Sequence, residues 1–127
     1  MSVQSLIEHE YAVLLSHPVV QTIELIRQTV NRLDGYLRAR CTLRNGDFLE
    51  VALHVTSGRA TAFVDDYRYQ WMDGSRAVLR RRWDNTPHFL SLPGAPYHCH
   101  IGEHTVEPTP LMDLTRLLDS ISSLIGL

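Results

Sequence analysis

The sequence predicts an α+β fold, an antiparallel β-meander of four or five strands with an N-terminal helix and a C-terminal helix. Three observations support this prediction. Apolar and polar residues alternate with a period of two through much of residues 36–83, which is typical of half-buried strands. The dipeptides Asn45-Gly46 and Asp73-Gly74 separate the alternating segments and favour tight hairpin turns. Both ends of the chain carry apolar residues at helical spacing.

Length and composition predict one domain over residues 1–127, without linker or internal repeat. The apolar fraction is 44% and the charged fraction 20%, which is ordinary for a soluble protein. No apolar run approaches the roughly 20 residues that cross a bilayer, and the N-terminus lacks a signal-peptide pattern. Cys41 and Cys99 are too few for a disulfide scaffold. We therefore expect a cytoplasmic protein with no membrane partner.

An amphipathic helix is predicted over residues 3–16, because apolar side chains recur there at helical spacing. The residues of this stripe are Val3, Leu6, Ile7, Tyr11 and Leu14. Pro18 ends the helix, since a proline inside it loses a backbone hydrogen bond and clashes with the preceding turn.

Residues 19–34 fit either a helix or a strand. Five apolar side chains, at positions 19, 23, 26, 30 and 33, lie on one helical face. The same run is rich in β-branched residues and is followed by Asp34-Gly35, a turn signal. The pattern by itself leaves both structures open.

Four clearer strands follow, over residues 36–43, 48–55, 60–71 and 77–83, joined by short turns. With the ambiguous segment, strands occupy about residues 20–83. The third of the four places three aromatic side chains on one face. These are Tyr67, Tyr69 and Trp71.

Residues 84–108 are rich in histidine and proline and read as a loop, with at most a short extended piece at 96–101. A helix is then predicted over 110–125, because Thr109 can cap it and Pro110 suits its first position. Its broad apolar stripe must pack against the sheet or a second copy of the protein, so a homodimer is one partner considered.

All twelve basic residues are arginine, and they are unevenly distributed. Residues 36–82 carry nine arginines and five acidic residues, a net charge of +4, whereas residues 83–127 carry one arginine and five acidic residues, a net charge of −4. Arginine binds phosphate through a planar fork of donors, so the central region is compatible with an RNA partner. The alternative is a solvated sheet face whose charges serve solubility.

Three motifs carry a resemblance to a known family. They are Tyr67-Arg-Tyr-Gln-Trp71, Arg82-Trp-Asp-Asn-Thr-Pro-His88 and Pro96-Tyr-His-Cys-His100. The chain resembles the TumE family of bacterial and archaeal toxin–antitoxin toxins over about residues 35–125. In that family a Tyr-x-Tyr-His-Trp-like strand precedes an Arg-Trp-Asp-Asn-Ala-Pro-His-His-like motif and a Pro-His-His-Lys-His-like motif.

The resemblance implies a toxin encoded beside a small helix-turn-helix antitoxin, its cognate partner, with RNA as the presumed target. It also favours a strand over residues 19–33. Five positions depart from the family pattern. The chain has Gln70 and Phe89 where histidines are expected, Leu53 where a glutamate is expected, and Tyr97 and Cys99 inside the last motif.

A ribonuclease acting by histidine acid/base chemistry is the predicted activity. RNA cleavage without a metal needs a base for the 2′-hydroxyl proton and an acid for the leaving oxygen. Histidine suits both tasks because its unperturbed pKa is about 6.5. The predicted catalytic residues are His88, His98 and His100, with Asp84 orienting one of the histidines.

Substrate binding is assigned to cations and aromatic rings beside the histidines. Arg80 and Arg82 alternate along one strand, so both are expected on one face, where they would clamp phosphate. The aromatic triplet of the third clear strand would stack a base. The full predicted set is Arg80, Arg82, Tyr67, Tyr69, Trp71 and Asn85. Core packing is the alternative for the tryptophan, and turn formation the alternative for the asparagine.

A metal site is the sharper rival to proton transfer. His98-x-His100 in an extended segment puts both imidazoles on one side, and His88, His104 or Asp84 would complete the ligand set. Cys99 would point away from both histidines. Metal-independent cleavage remains the favoured mechanism, with no metal and no cofactor.

The alternative of a different class is a non-catalytic binding module or metal-binding domain, whose histidine cluster is structural. Nucleotidyl transfer to RNA ranks below cleavage, because the sequence shows no glycine-rich loop that would cradle phosphates.

Overall fold

A computed structural model describes residues 1–85 and 96–127. The described elements are α1 (Val3–Ser16), β1 (Val20–Val30), β2 (Asp34–Leu43), β3 (Phe48–Thr56), β4 (Phe63–Met72), β5 (Leu79–Asp84), β6 (His98–Ile101), β7 (Thr105–Pro108) and α2 (Leu114–Leu124). The strands form one antiparallel sheet in the order of the chain. Across these two ranges, neither helix combines the length and apolar character that a membrane span requires.

The sheet has seven strands in the described part of the chain, so the prediction of four or five is wrong. The two additional strands, β6 and β7, lie within residues 84–108. β6 coincides with the short extended piece expected at 96–101, whereas β7 lies in residues predicted to be a loop. Each has only four residues; β6 pairs with β5 in the register Trp83↔Cys99, and β7 pairs with β6. Local alternation over four residues does not reveal such pairing.

The ambiguous segment is a strand. β1 pairs along its length with β2, from Val20↔Leu43 to Val30↔Gly35, and two register shifts interrupt the pairing. The shifts explain the misleading period, because each adds a residue that breaks the simple alternation.

Side-chain caps fix where the helices begin. At α1 the Ser2 hydroxyl accepts a hydrogen bond from the Ser5 amide at 3.0 Å. At α2 the Asp113 carboxylate accepts from the Arg116 amide at 2.8 Å. Asp113 therefore takes the capping place predicted for Thr109, and the helix begins at Leu114 instead of residue 110.

Both helices contribute to a core on one face of the sheet. Buried residues from α1, β2–β6 and α2 form one apolar cluster with Val19, Val20, Ala62 and Met112. The residues with the largest fully buried side chains are Ile7, Leu14, Leu37, Leu43, Leu49, Leu53, Tyr67, Tyr69, Leu114, Leu117, Leu118 and Ile121. Within the described ranges, the other face of the sheet carries no helix.

Two rows of side chains cross that other face, hereafter the open face. Directly opposed residues on paired strands project to the same side, so the register defines the rows. One row is Arg38, Ala52, Arg68, Asp84 and His98. The second is Arg40, Glu50, Gln70, Arg82 and His100. Both rows therefore end at the histidines of β6.

Candidate active site

Asp84 is the centre of a polar cluster at the ends of the two rows. Its Oδ1 lies 2.8 Å from His98 Nε2, and its Oδ2 lies 3.3 Å from Arg82 Nε and 3.9 Å from His100 Nε2. The two imidazole rings meet edge to face with centroids 5.0 Å apart. We call these four residues the β5–β6 cluster.

The register of β5 and β6 builds the cluster. Asp84 is directly opposite His98, and Arg82 is directly opposite His100. Residues two apart on a strand share a face, so the pairing brings two histidines, one carboxylate and one guanidinium together. The sequence placed His98 and His100 on one side correctly, but only the pairing identifies Asp84 and Arg82 as their neighbours.

His98 is held between two acceptors. Its Nδ1 lies 2.8 Å from the backbone oxygen of Pro96, and its Nε2 faces Asp84. A carbonyl oxygen only accepts, so Nδ1 carries a proton. Nε2 lies 2.8 Å from Asp84 Oδ1, so the Pro96 carbonyl on one side and the carboxylate on the other fix the orientation of the ring. His98 is 1% exposed and Asp84 is 4% exposed, so neither side chain is accessible to a bulky substrate.

His100 is the accessible histidine of the cluster. Its side chain is 14% exposed, and its Nε2 lies 3.0 Å from an Nη atom of Arg82. A guanidinium only donates, so His100 Nε2 accepts and the ring is neutral in this arrangement. His100 thus combines an unprotonated nitrogen with a neighbouring fixed cation.

A cleft of about 350 Å³ on the open face gives access to His100 and Arg82. Arg68 and Gln70 line the same cleft, and the Arg68 guanidinium donates to the Gln70 side-chain oxygen at 2.8 Å. Arg68 did not figure in the sequence prediction. The available signal was the period-two alternation of β4, because it puts Arg68 on the other face of the strand from the neighbouring aromatic residues.

The three aromatic residues of β4 lie on the core face, away from the cluster. Tyr67 and Tyr69 are each 1% exposed, and Trp71 is 5% exposed. The Tyr67 hydroxyl accepts from the Met112 amide at 3.2 Å, and burial raises the pKa of Tyr67 to about 12. These rings do not stack a base in this structure. Alternation correctly put them on one face, but it did not show which face the helices cover.

Arg80 also lies apart from the cluster, so it does not share a face with Arg82. β4 and β5 pair as Trp71↔Arg81 and Met72↔Leu79, which leaves Arg80 as an extra residue at a bulge. Its Nε lies 2.7 Å from Asp47 Oδ2, and its guanidinium lies 6.0 Å from the centre of the Trp71 ring.

Asn85 ties the end of β5 to β4. Its side-chain oxygen accepts from the Tyr67 amide at 3.0 Å, and its amide nitrogen donates to the Asp65 backbone oxygen at 3.0 Å. Both contacts are structural and link neighbouring strands, and the residues that would complete a turn after Asn85 lie outside the described ranges. His88 lies outside the described residues.

Phe89 lies outside the described residues, and the other family departures fall in two environments. Gln70 lines the cleft and is directly opposite Arg82, so this substitution lies in the candidate site itself. Leu53 is 1% exposed in the core, and Tyr97 packs against the core. Cys99 belongs to the core as well, and burial raises the pKa of its thiol to about 11, so it is not a ready nucleophile.

Three members of the cluster offer donor atoms to one cation. In the described part of the chain, Asp84, His98 and His100 each place a ligand atom within 4.8 Å of the others. The Pro96 carbonyl behind His98 is a typical second partner for a metal-ligating histidine. Arg82 opposes this use, because its guanidinium already contacts Asp84 and His100 and would repel a cation. His104 does not belong to the set.

Comparison with known proteins bears on this geometry. No curated protein and no solved structure matches the chain. A family model described as Toxin TumE matches residues 10–125, which include β5, β6 and the whole β5–β6 cluster. This match confirms the resemblance drawn from the three motifs, and it covers most of the chain. The chain therefore belongs to the TumE toxin family.

Proposed function

We propose that this toxin cleaves RNA by histidine acid/base chemistry on the open face of its sheet. One observation carries the proposal. His100 presents an accepting nitrogen 3.0 Å from the Arg82 guanidinium, inside a cleft that Arg68 also lines. A base beside fixed cations is what transfer at a phosphodiester requires.

His100 is the base in this proposal. Arg82 turns its Nη from His100 to the incoming phosphate, which frees the Nε2 lone pair. Nε2 then takes the proton of a 2′-hydroxyl, the 2′-oxygen bonds to phosphorus, and the bond from phosphorus to the 5′-oxygen breaks. Arg82 and Arg68 stabilise the charge on the phosphoryl oxygens. The products are a 2′,3′-cyclic phosphate and a 5′-hydroxyl. The acid that protonates the 5′-oxygen is assigned to His88, which stays a prediction from the sequence.

Asp84 and His98 are positioning residues in this proposal. Both are buried behind His100, and Asp84 reaches His98, Arg82 and His100 at 2.8, 3.3 and 3.9 Å. A carboxylate shared in this way fixes the guanidinium against the imidazole. The sequence assigned proton transfer to His98 and orientation of a histidine to Asp84. In this proposal both residues only orient the groups that contact the substrate.

A metal-dependent nuclease is the second candidate, because three donor atoms of the cluster lie within 4.8 Å of one another. The guanidinium of Arg82 is the argument against it, as it occupies the same donors. A cation would have to displace Arg82 from Asp84 and His100. Metal-independent cleavage therefore stays the favoured mechanism.

The family also supports an antitoxin as the partner of this chain. We propose that this antitoxin is the small helix-turn-helix protein encoded beside the toxin gene. The remaining alternative is a non-catalytic binding module, in which the β5–β6 cluster only stabilises β6.

His100→Ala tests the proposal, with His9→Ala on exposed α1 as the matched control. Loss of a catalytic base lowers the rate by about 10²–10⁴-fold, so His100→Ala should relieve growth inhibition and slow cleavage of purified RNA by that factor. His9→Ala should match the parent. Equal toxicity of His100→Ala at equal expression would refute histidine catalysis at this position.

A chelator separates the two mechanisms. Cleavage by the parent should be unchanged in EDTA if protons alone are transferred. Loss of cleavage in EDTA, with recovery on adding a divalent metal, would favour the metal site. Toxicity without any RNA cleavage in either condition would favour the binding module.

A further inference from the structure

A second cleft lies on the helix-covered side of the sheet, opposite the open face that carries the β5–β6 cluster. It holds about 220 Å³ and lies between α1, the start of β4 and the segment that leads into α2. Its apolar walls include Leu6, Ala62, Phe63, Val64, Leu111 and Met112. Two acidic residues, Glu10 and Asp113, also line it. We call it the Glu10 cleft.

Glu10 is an unusual residue for its place in α1. The buried stripe of this helix consists of Val3, Leu6, Ile7, Glu10 and Leu14, so one carboxylate replaces an apolar side chain. Glu10 is 9% exposed, and burial raises the pKa of its carboxyl group. Asp113 adds to this rise, whereas neighbouring His9 opposes it.

No residue in ranges 1–85 and 96–127 pairs with the Glu10 carboxylate through a hydrogen bond or an ion pair. A buried carboxylate is costly unless a cation or donors compensate for its lost water. Tyr69 on β4, which is 1% exposed, also lines the cleft. Glu10 therefore gives the cleft a buried carboxylate that no described residue compensates with a hydrogen bond or an ion pair.

The rim of the cleft is apolar and exposed. Phe63 and Leu111 are each 50% exposed, although both are large hydrophobic residues. An apolar rim around a desolvated polar pocket is typical of a protein interface with one central anchor. The volume is below the roughly 300–1,000 Å³ of sites that enclose a whole small molecule, so a single side chain is the better fit.

We propose that the Glu10 cleft receives an arginine or lysine side chain of the antitoxin, and that apolar neighbours of that side chain pack on Phe63 and Leu111. Charge complementarity selects this occupant, because the buried Glu10 and the exposed Asp113 both line the cleft and most of the other lining residues are apolar. The inference rests on the antitoxin partnership of the proposed function, and it is independent of RNA cleavage.

Glu10→Gln is the test, because it removes the charge and preserves the shape. Glu8→Gln is the matched control, since Glu8 is exposed on the same helix. Affinity for the purified antitoxin is measured by calorimetry. Loss of one partner of a buried charge pair should weaken binding by about 30-fold or more for Glu10→Gln, with no change for Glu8→Gln. Thermal unfolding should show Glu10→Gln at least as stable as the parent.

A double-mutant cycle then identifies the occupant. Each arginine and lysine of the antitoxin is replaced by alanine and titrated against the parent and Glu10→Gln. One basic position should lose affinity against the parent but little further affinity against Glu10→Gln. Unchanged affinity of Glu10→Gln, additivity at every basic position, or no binding by the parent would each overturn the proposal. Toxicity of Glu10→Gln alone reports on the proposed function separately and should equal that of the parent.

Discussion

Asp47→Ala should destabilise the fold, because Asp47 joins three neighbouring strands. The residue follows the turn between β2 and β3 and is 6% exposed. Its carboxylate accepts from Trp71 Nε1 of β4 at 2.9 Å and pairs with Arg80 of β5 at 2.7 Å. The same contacts hold Arg80 away from the open face, so the variant also tests whether Arg80 is structural.

The magnitude follows from the two partners on β4 and β5; a third partner, Asn45, donates to the same carboxylate at 3.0 Å from the adjoining turn. A buried indole N–H without an acceptor costs about 1–3 kcal/mol. The Arg80 side chain is 44% exposed, so solvent screening limits its pair with Asp47 to about 0.5–1 kcal/mol. Together they predict a loss of about 1.5–4 kcal/mol in the free energy of unfolding. Asp47→Asn keeps an acceptor for Trp71 and should lose about 1 kcal/mol.

Urea unfolding followed by tryptophan fluorescence measures these changes. In a double-mutant cycle, Arg80→Ala should cost less in the Asp47→Ala background than in the parent. RNA affinity of Arg80→Ala should equal that of the parent, whereas Arg82→Ala should lose it. Stability of Asp47→Ala within about 0.5 kcal/mol of the parent would refute the structural role. Selective loss of RNA affinity in Arg80→Ala would restore the phosphate role predicted from the sequence.

His54 should make stability depend on pH, because hydrogen bonds to Asp65 and Asp34 raise its pKa. Its contribution is fully present below the unfolded pKa of about 6.5 and is lost as pH rises through the raised folded value. The difference in urea midpoint between the parent and His54→Gln should therefore shrink from pH 6 to pH 9; a constant difference would contradict this. Both thiols should resist Ellman's reagent in the folded protein, since burial raises the pKa of Cys41 to about 12 and that of Cys99 to about 11. Rapid labelling of either without unfolding would contradict their burial.

Much of the sheet was predictable because its signals are local. Alternation and the turn Asn45-Gly46 identify the β2–β3 hairpin, and its observed register runs from Asp34↔Thr56 to Thr42↔Phe48. β6 and β7 were not predictable in the same way, since four residues carry too little pattern to outweigh prolines and glycines around them. β6 pairs with β5, about fifteen residues earlier in the chain, and β7 pairs in turn with β6.

The site was predictable in its residue types and not in its geometry. The His-x-His spacing identified His98 and His100 as candidate site residues. The family motif identified Asp84 and Arg82. Arg80 seemed equivalent to Arg82 because strict alternation assumes a regular strand, whereas a bulge in β5 separates the two. No feature of the sequence distinguishes a bulged arginine from a regular one.

By itself, the sequence determined the family, the helix at each end and the antiparallel pairing of the central strands. Local spacing and turn chemistry carry that information. Only the tertiary structure decided which face of each strand the helices cover. On β4 the covered face is the one that was expected to bind substrate. Tyr67 and Tyr69 became core while Arg68 and Gln70 came to line the cleft. Period two separates the faces of a strand, but only the packing of α1 and α2 chooses the face from which water is excluded.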